Sequence, residues 1–200
     1  MRLRELFQEA EPQPDRTFES RCEAIVEKIA TVAEPRYQQT IRSSSIWITS
    51  DNGDADKAYS SPKDRIVVID QEEFGPAPVS VLIWLIAHEL GHIVMSHGPA
   101  QGSASQRQEL DADEFANQIV LKLGITKVPV FSWLGRRKNE LGQTELERKQ
   151  ALERDPANAD FFKSQSHPTT DQRIKQAGEL DLELSRTNTD QIDWLIAHTA

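Results

Sequence analysis

The sequence predicts an α+β fold, mainly helical with a small β-sheet, and three observations carry that expectation. Apolar residues recur at helical spacing over 17–33 and on one face over 105–123, and a nearly continuous apolar run opens a third long helix at 79. Two short runs rich in β-branched and aromatic residues, Ser-Ile-Trp-Ile-Thr at 45–49 and Arg-Ile-Val-Val-Ile-Asp at 65–70, read as strands. Between and after these segments stand Gly, Pro, Asn and Asp, where turns and helix ends belong.

Taken in order, Glu-Pro-Gln-Pro-Asp at 11–15 reads as an extended tether. Phe18, Cys22, Ile25, Val26, Ile29 and Val32 then form the apolar stripe of a helix that ends before Pro35. Asp51-Asn-Gly-Asp54 punctuates the first strand as a turn. An edge strand of the resulting sheet can accept an extended peptide by strand addition. Pro76 and Pro78 precede a helix from about Val79 to about Ser96, stopped by Gly98-Pro99. A second helix is expected from the Ser105 to Gln108 capping box to Leu123, with Gly124 behind it. Val128 to Trp133 reads as an apolar loop that lines a cleft or seals the core. Capping boxes at Thr144 to Glu147 and Thr169 to Gln172 open two further helices, Phe161 and Phe162 anchor the loop between them, and residues 190–198 form a short terminal helix.

Composition narrows the function classes. The 32 acidic and 23 basic residues leave a net charge of −9, which argues against a nucleic-acid partner or an anionic membrane surface. The short patch Arg136-Arg-Lys138 reads as a solvated helix end. Cys22, the single cysteine, excludes an internal disulfide and a cysteine-ligated metal, and reads as a small buried side chain. The N-terminus has no apolar signal region, and no apolar run approaches the roughly 20 residues of a membrane span, so no integral membrane segment is expected. These features together predict a cytoplasmic protein of one domain over residues 1–200: a tether and helix at 1–33 and a catalytic core at 45–178.

The chemistry centres on His88-Glu-Leu-Gly-His92, an HExxH sequence. On a helix, residues four apart share a face, so His88 and His92 present two imidazoles to one ion. Glu89 lies on an adjoining face, where it reaches a water on the metal without being a ligand, the general-base position of zinc hydrolases. Catalytic zinc usually has three protein ligands, and the second helix offers the third. Glu109, Ala112, Asp113 and Ala116 share one face, giving a ligand carboxylate with alanines small enough for close helix approach. Asp113, one turn on, is placed to accept the free ring N–H of a ligating histidine. The competing ligand, Asp111, lies about 200° around the helix from Glu109. His167, before a helix start, and Arg173, within its first turns, are candidates to stabilise an oxyanion, as more weakly is Tyr59. His97 reads as a helix C-terminal residue favoured by the dipole, and Trp47 and Trp84 read as core.

Three segments in this order, His88 to His92, the ExxAD-type segment Glu109 to Asp113 with Glu-Phe-Ala after it, and Ser166-His-Pro with Arg173-Ile174, resemble metallopeptidase family 48. That group of gluzincins includes HtpX and the type 1 CAAX prenyl endopeptidase. The resemblance implies a zincin-like fold, Zn2+ on His88, His92 and Glu109, Glu89 as base, Asp113 orienting a histidine, and a supporting role for His167 or Arg173. The chain departs from that family in lacking membrane helices, with sixteen residues between the two metal-binding segments. That short spacing, with Ala112-Asp-Glu-Phe-Ala116, is similar to ImmA/IrrE-like metallopeptidases. The expected function is a soluble zinc endopeptidase acting on a protein or peptide substrate. The alternatives are an ImmA/IrrE-like regulatory metalloprotein and a non-catalytic zinc-stabilised interaction module. Oligomeric state is left open.

Overall fold

A computed structural model describes residues 17–50, 57–134, 144–158 and 167–178. Several expectations fall outside them: the 11–15 tether, the 51–54 turn, the 136–138 patch, Phe161 and Phe162, and the terminal helix. The described elements are mainly helical, with one three-stranded sheet, as the sequence predicts.

Helix α1 (Phe18–Val32) starts where Thr17 accepts a hydrogen bond from the Ser20 amide, and it buries Phe18, Cys22, Ile25, Val26, Ile29 and Ala30. Burial pushes the Cys22 thiol up to about 12, with smaller and opposing effects from Arg21 and Glu23, so the side chain is an inert packing group. Pro35, which stops α1, also begins α2 (Pro35–Arg42), a helix not foreseen from the sequence. Its only buried residue is Ile41, so its apolar pattern is faint, but Pro at N1 is pre-set for a helix start.

Strands β1 (Ser45–Thr49), β2 (Ala58–Ser61) and β3 (Ile66–Asp70) form a sheet in the order β1-β3-β2. The middle strand β3 pairs parallel with β1, Trp47 opposite Val68, and antiparallel with β2, Tyr59 opposite Val68. Its Val67, Val68, Ile69 and Asp70 are all buried. The short polar β2 carries no β-branched residue to announce it. Trp47 corrects the expectation of a core residue: it stands 57% exposed on an edge strand.

Asp70 ends the sheet and starts α3 (Gln71–Phe74), accepting from the Glu72 and Glu73 amides at 2.8 and 3.1 Å. The chain then enters α4 (Val79–Val94), whose residues are buried on every face from Val79 to Gly91. A helix apolar all round has to be the centre of the core, and α1, the sheet and α5 (Gly102–Lys122) enclose it. Helix α5 starts at Gly102 behind Gln101, without a side-chain cap, so the Ser105 capping box is not its beginning; its end at Leu123 with Gly124 at φ 76° is as expected.

Residues 130–134, expected within a loop, form the short helix α6 (Val130–Leu134), and Val128, Val130 and Phe131 are buried in the core. Helices α7 (Glu145–Arg154) and α8 (Thr170–Ala177) both open with the predicted capping boxes, at Thr144 and Thr169. They are tied together where Arg154 grips Asp171 through two hydrogen bonds of 2.8 and 2.9 Å and the Thr170 amide donates to Glu153.

Candidate metal centre

The turn of α4 that carries His88 and His92 sets their Nε2 atoms 3.2 Å apart. Glu109, from α5, brings its carboxylate oxygens to 3.6 Å from His88 Nε2 and 3.5 Å from His92 Nε2. A tetrahedral zinc with bonds of about 2.0–2.1 Å separates neighbouring donors by about 3.3–3.4 Å. The three groups therefore fit one ion of that size, and among the described residues they are the cluster that could hold a metal; Asp111 is not part of it. The close approach needs more than the two alanines. A Cβ on Gly91 would sit 3.1 Å from the Ala112 Cα and 3.3 Å from its carbonyl oxygen, so only glycine lets α4 lie this near α5.

Behind the donors runs a layer of buried partners. His88 Nδ1 lies 2.9 Å from Asp113 Oδ1, as the helix face predicts. Arg173 of α8 donates to both oxygens of Asp113, from Nε and from a terminal nitrogen. Its guanidinium also sits 5.6 Å from the Trp84 ring centroid and 5.2 Å from that of Phe131. Trp84, one turn before His88, stacks on its imidazole at 5.3 Å with the planes 19° apart, and its indole N–H donates to Asn117 Oδ1 at 2.8 Å. Gln176 donates to the Leu110 carbonyl, so Arg173 and Gln176, three residues apart, clamp α8 onto α5.

The electrostatics match a cation site flanked by acids. Burial opposes charge on His88, but hydrogen bonds to Asp113 and Glu109 outweigh it and raise the imidazole to about 10. His92 is pushed the other way, to about 4, by burial and by the charge on His88. Burial also opposes the charges of Glu109 and Asp113, yet His167 and His88 hold the first well below the usual carboxylate range and Arg173 and His88 lower the second. One ionised carboxylate, Glu109, thus stands where the donors meet, and a second, Asp113, lies behind His88.

Glu89 is buried beside this point. Burial raises its carboxyl, and His88 together with a hydrogen bond from Ser60 of β2 offsets part of that rise. The site opens onto a cleft of about 820 Å³. One wall is β2 and the residues after it, including Tyr59, Ser60 and Lys63; the other is the segment between α4 and α5, with His97 and Pro99. His167, 55% exposed, stands on the cleft with Nδ1 3.1 Å from Glu109 Oε2.

Every site residue predicted from sequence falls in or directly behind this centre, though not all in the expected relation. Arg173 does not face the cleft wall; its guanidinium is engaged by Asp113 on the far side of His88. His97, read as a helix-end residue, brings Nδ1 to 2.9 Å from His92 Nδ1. Gly91, Ser60 and Asn117 were not foreseen. Asn117 carried a signal, since it continues the α5 face of Glu109 and Asp113 by one further turn.

A pair of imidazoles on one helix and a carboxylate from the next could hold a metal ion, with a buried glutamate beside them and an open cleft in front. The chain belongs to the family Peptidase U49, whose model matches residues 70–193 and so takes in His88, Glu89, His92, Glu109, His167 and Arg173, though not the β2 wall of the cleft. The match supports the peptidase class that the motifs pointed to, and it names Peptidase U49 where the motifs resembled metallopeptidase family 48 and ImmA/IrrE-like proteins. No curated protein and no solved structure matches the chain. Among the described residues no helix is long and apolar enough to cross a membrane.

Proposed function

We propose that this chain is a zinc-dependent endopeptidase of the gluzincin type, with His88, His92 and Glu109 as the residues that hold the metal. The observation that carries the reading is the convergence of three donors at 3.2 to 3.6 Å beside a buried glutamate. Zinc, when bound there, supplies a Lewis acid that acidifies water and polarises a carbonyl. Glu89 takes the proton of the attacking water and delivers it to the leaving amine, and burial raises its carboxyl above the ordinary value, in the direction a general base needs. Ser60 holds the Glu89 carboxylate from the sheet side.

The substrate is a protein or peptide lying extended along β2, an edge strand whose residues 58–61 line the cleft in front of the donors. The place of His167 on the cleft wall supports giving it the developing oxyanion. Arg173, engaged by Asp113 behind His88, is a positioning residue in this reading. Glu89→Gln tests the assignment on an unstructured protein such as casein. The parent should cleave it, the variant should lose at least about 100-fold in rate, as removing a general base does, and zinc content should stay unchanged. A variant that cleaves as well as the parent removes Glu89 from the chemistry.

A further inference from the structure

The way α4 ends builds a partner for the second metal-binding histidine. After Met95 the chain turns at Ser96 into the left-handed region, φ 55°, where a non-glycine residue is uncommon. The Ser96 amide donates to the Ile93 carbonyl and the His97 amide to the carbonyl of His92, both at 3.0 Å. This pair of hydrogen bonds is a Schellman cap, and the one that spans five residues returns the backbone of His97 to His92 itself. The imidazoles follow: the ring centroids are 5.0 Å apart with the planes at 75°, and the two Nδ1 atoms are 2.9 Å apart.

We propose that His97 is the positioning residue for His92, accepting the Nδ1–H of the ligand imidazole on its own Nδ1. The inference rests on the metal reading above. If Nε2 of His92 is a donor to the metal, its single ring proton is on Nδ1, and a nitrogen 2.9 Å away must then be the acceptor. The tautomer of His97 follows, with its proton on Nε2. Each ligand histidine thus has its own anchor of different charge: His88 an anionic carboxylate, His92 a neutral ring. The cap ties this anchor to the fold, because Ser96 must adopt a left-handed backbone for His97 to arrive there.

The test uses zinc affinity, measured by competition with a chelating indicator, and histidine tautomers, read from long-range proton–nitrogen correlations of the zinc-loaded parent. His97→Phe keeps the ring and removes the acceptor, and should weaken zinc binding about 10–100-fold. His97→Asn places an amide oxygen the same number of bonds from Cα as Nδ1 and should recover most of the loss. A purely space-filling role gives the reverse order. Equal affinity for the parent and His97→Phe, or a proton on Nδ1 of His97 in the loaded parent, overturns this inference alone. A parent that binds no zinc overturns it together with the metal reading. The tautomer measurement stands even if a variant fails to fold.

Discussion

Asn117 shows how much of this centre is held by groups that stand behind the three donors. Its Oδ1 receives the buried Trp84 indole N–H, and Trp84 in turn stacks on His88. Asn117→Ala should therefore cost about 1–3 kcal/mol by orphaning that donor, measured by urea unfolding, and should also weaken zinc binding as the indole loosens. Gly91 acts at the same scale. A methyl there meets the Ala112 backbone at 3.1 Å, so one of the two helices has to shift by a few tenths of an ångström. Gly91→Ala gains up to about 1 kcal/mol in helix propensity but should lose about 1–3 kcal/mol to overpacking, for a small net destabilisation and a larger loss of zinc affinity. The three proposed ligands and Asp113 behind them were legible because a 3.6-residue period puts His88 with His92 and Glu109 with Asp113. Periodicity did not reveal His97, since its place depends on Ser96 leaving the helix with a left-handed backbone, nor the direction of Arg173, which is set by an aspartate 60 residues earlier.

At the scale of elements, local signals decided what could be read. The capping boxes at Thr144 and Thr169 hold because each threonine stands at the N-cap of its helix, whereas the one at Ser105, with both halves equally present in the sequence, fails because α5 has already started at Gly102. Strand β2 has one strand-favouring residue, Tyr59, and exists through pairing with β3, and α2 buries only Ile41, so tertiary contacts rather than pattern form both. The junction of β3 with α3 rests on Asp70, which caps the helix and pairs with Lys57 at 3.2 Å. Burial opposes its charge, but the Glu73 amide and Lys57 outweigh it and lower its pKa. The folded state therefore binds fewer protons than the unfolded one just below pH 4. This contribution is complete above the unfolded value of about 3.9 and is lost as pH falls through the lower folded value. Asp70→Ala should cost about 1–2 kcal/mol at pH 7, and its deficit against the parent should shrink in urea melts taken toward pH 3.

For the molecule as a whole, the sequence made the two site helices visible and pointed to His167 and Arg173, but not to the partners through which they act, Glu109 and Asp113. Helix α8 reaches the centre twice: through Arg173 on Asp113, and through the nearby His167 on Glu109. Arg173→Ala leaves Asp113 buried without its cation and should destabilise the protein by about 3–5 kcal/mol while weakening zinc binding. Arg173→Lys should recover little of either, because one ammonium cannot replace the two-point grip. Among the described residues the carboxylates lining the cleft are those of the centre itself, Glu89 and Glu109.

The most direct test of the central claim, that His88, His92 and Glu109 hold one metal ion, is zinc per chain in protein purified without chelators, for the parent and for Glu109→Ala side by side. About one zinc in the parent and a marked loss in the variant is the predicted result. Equal zinc in both, or none in a parent that also fails to take it up on reconstitution, would contradict it.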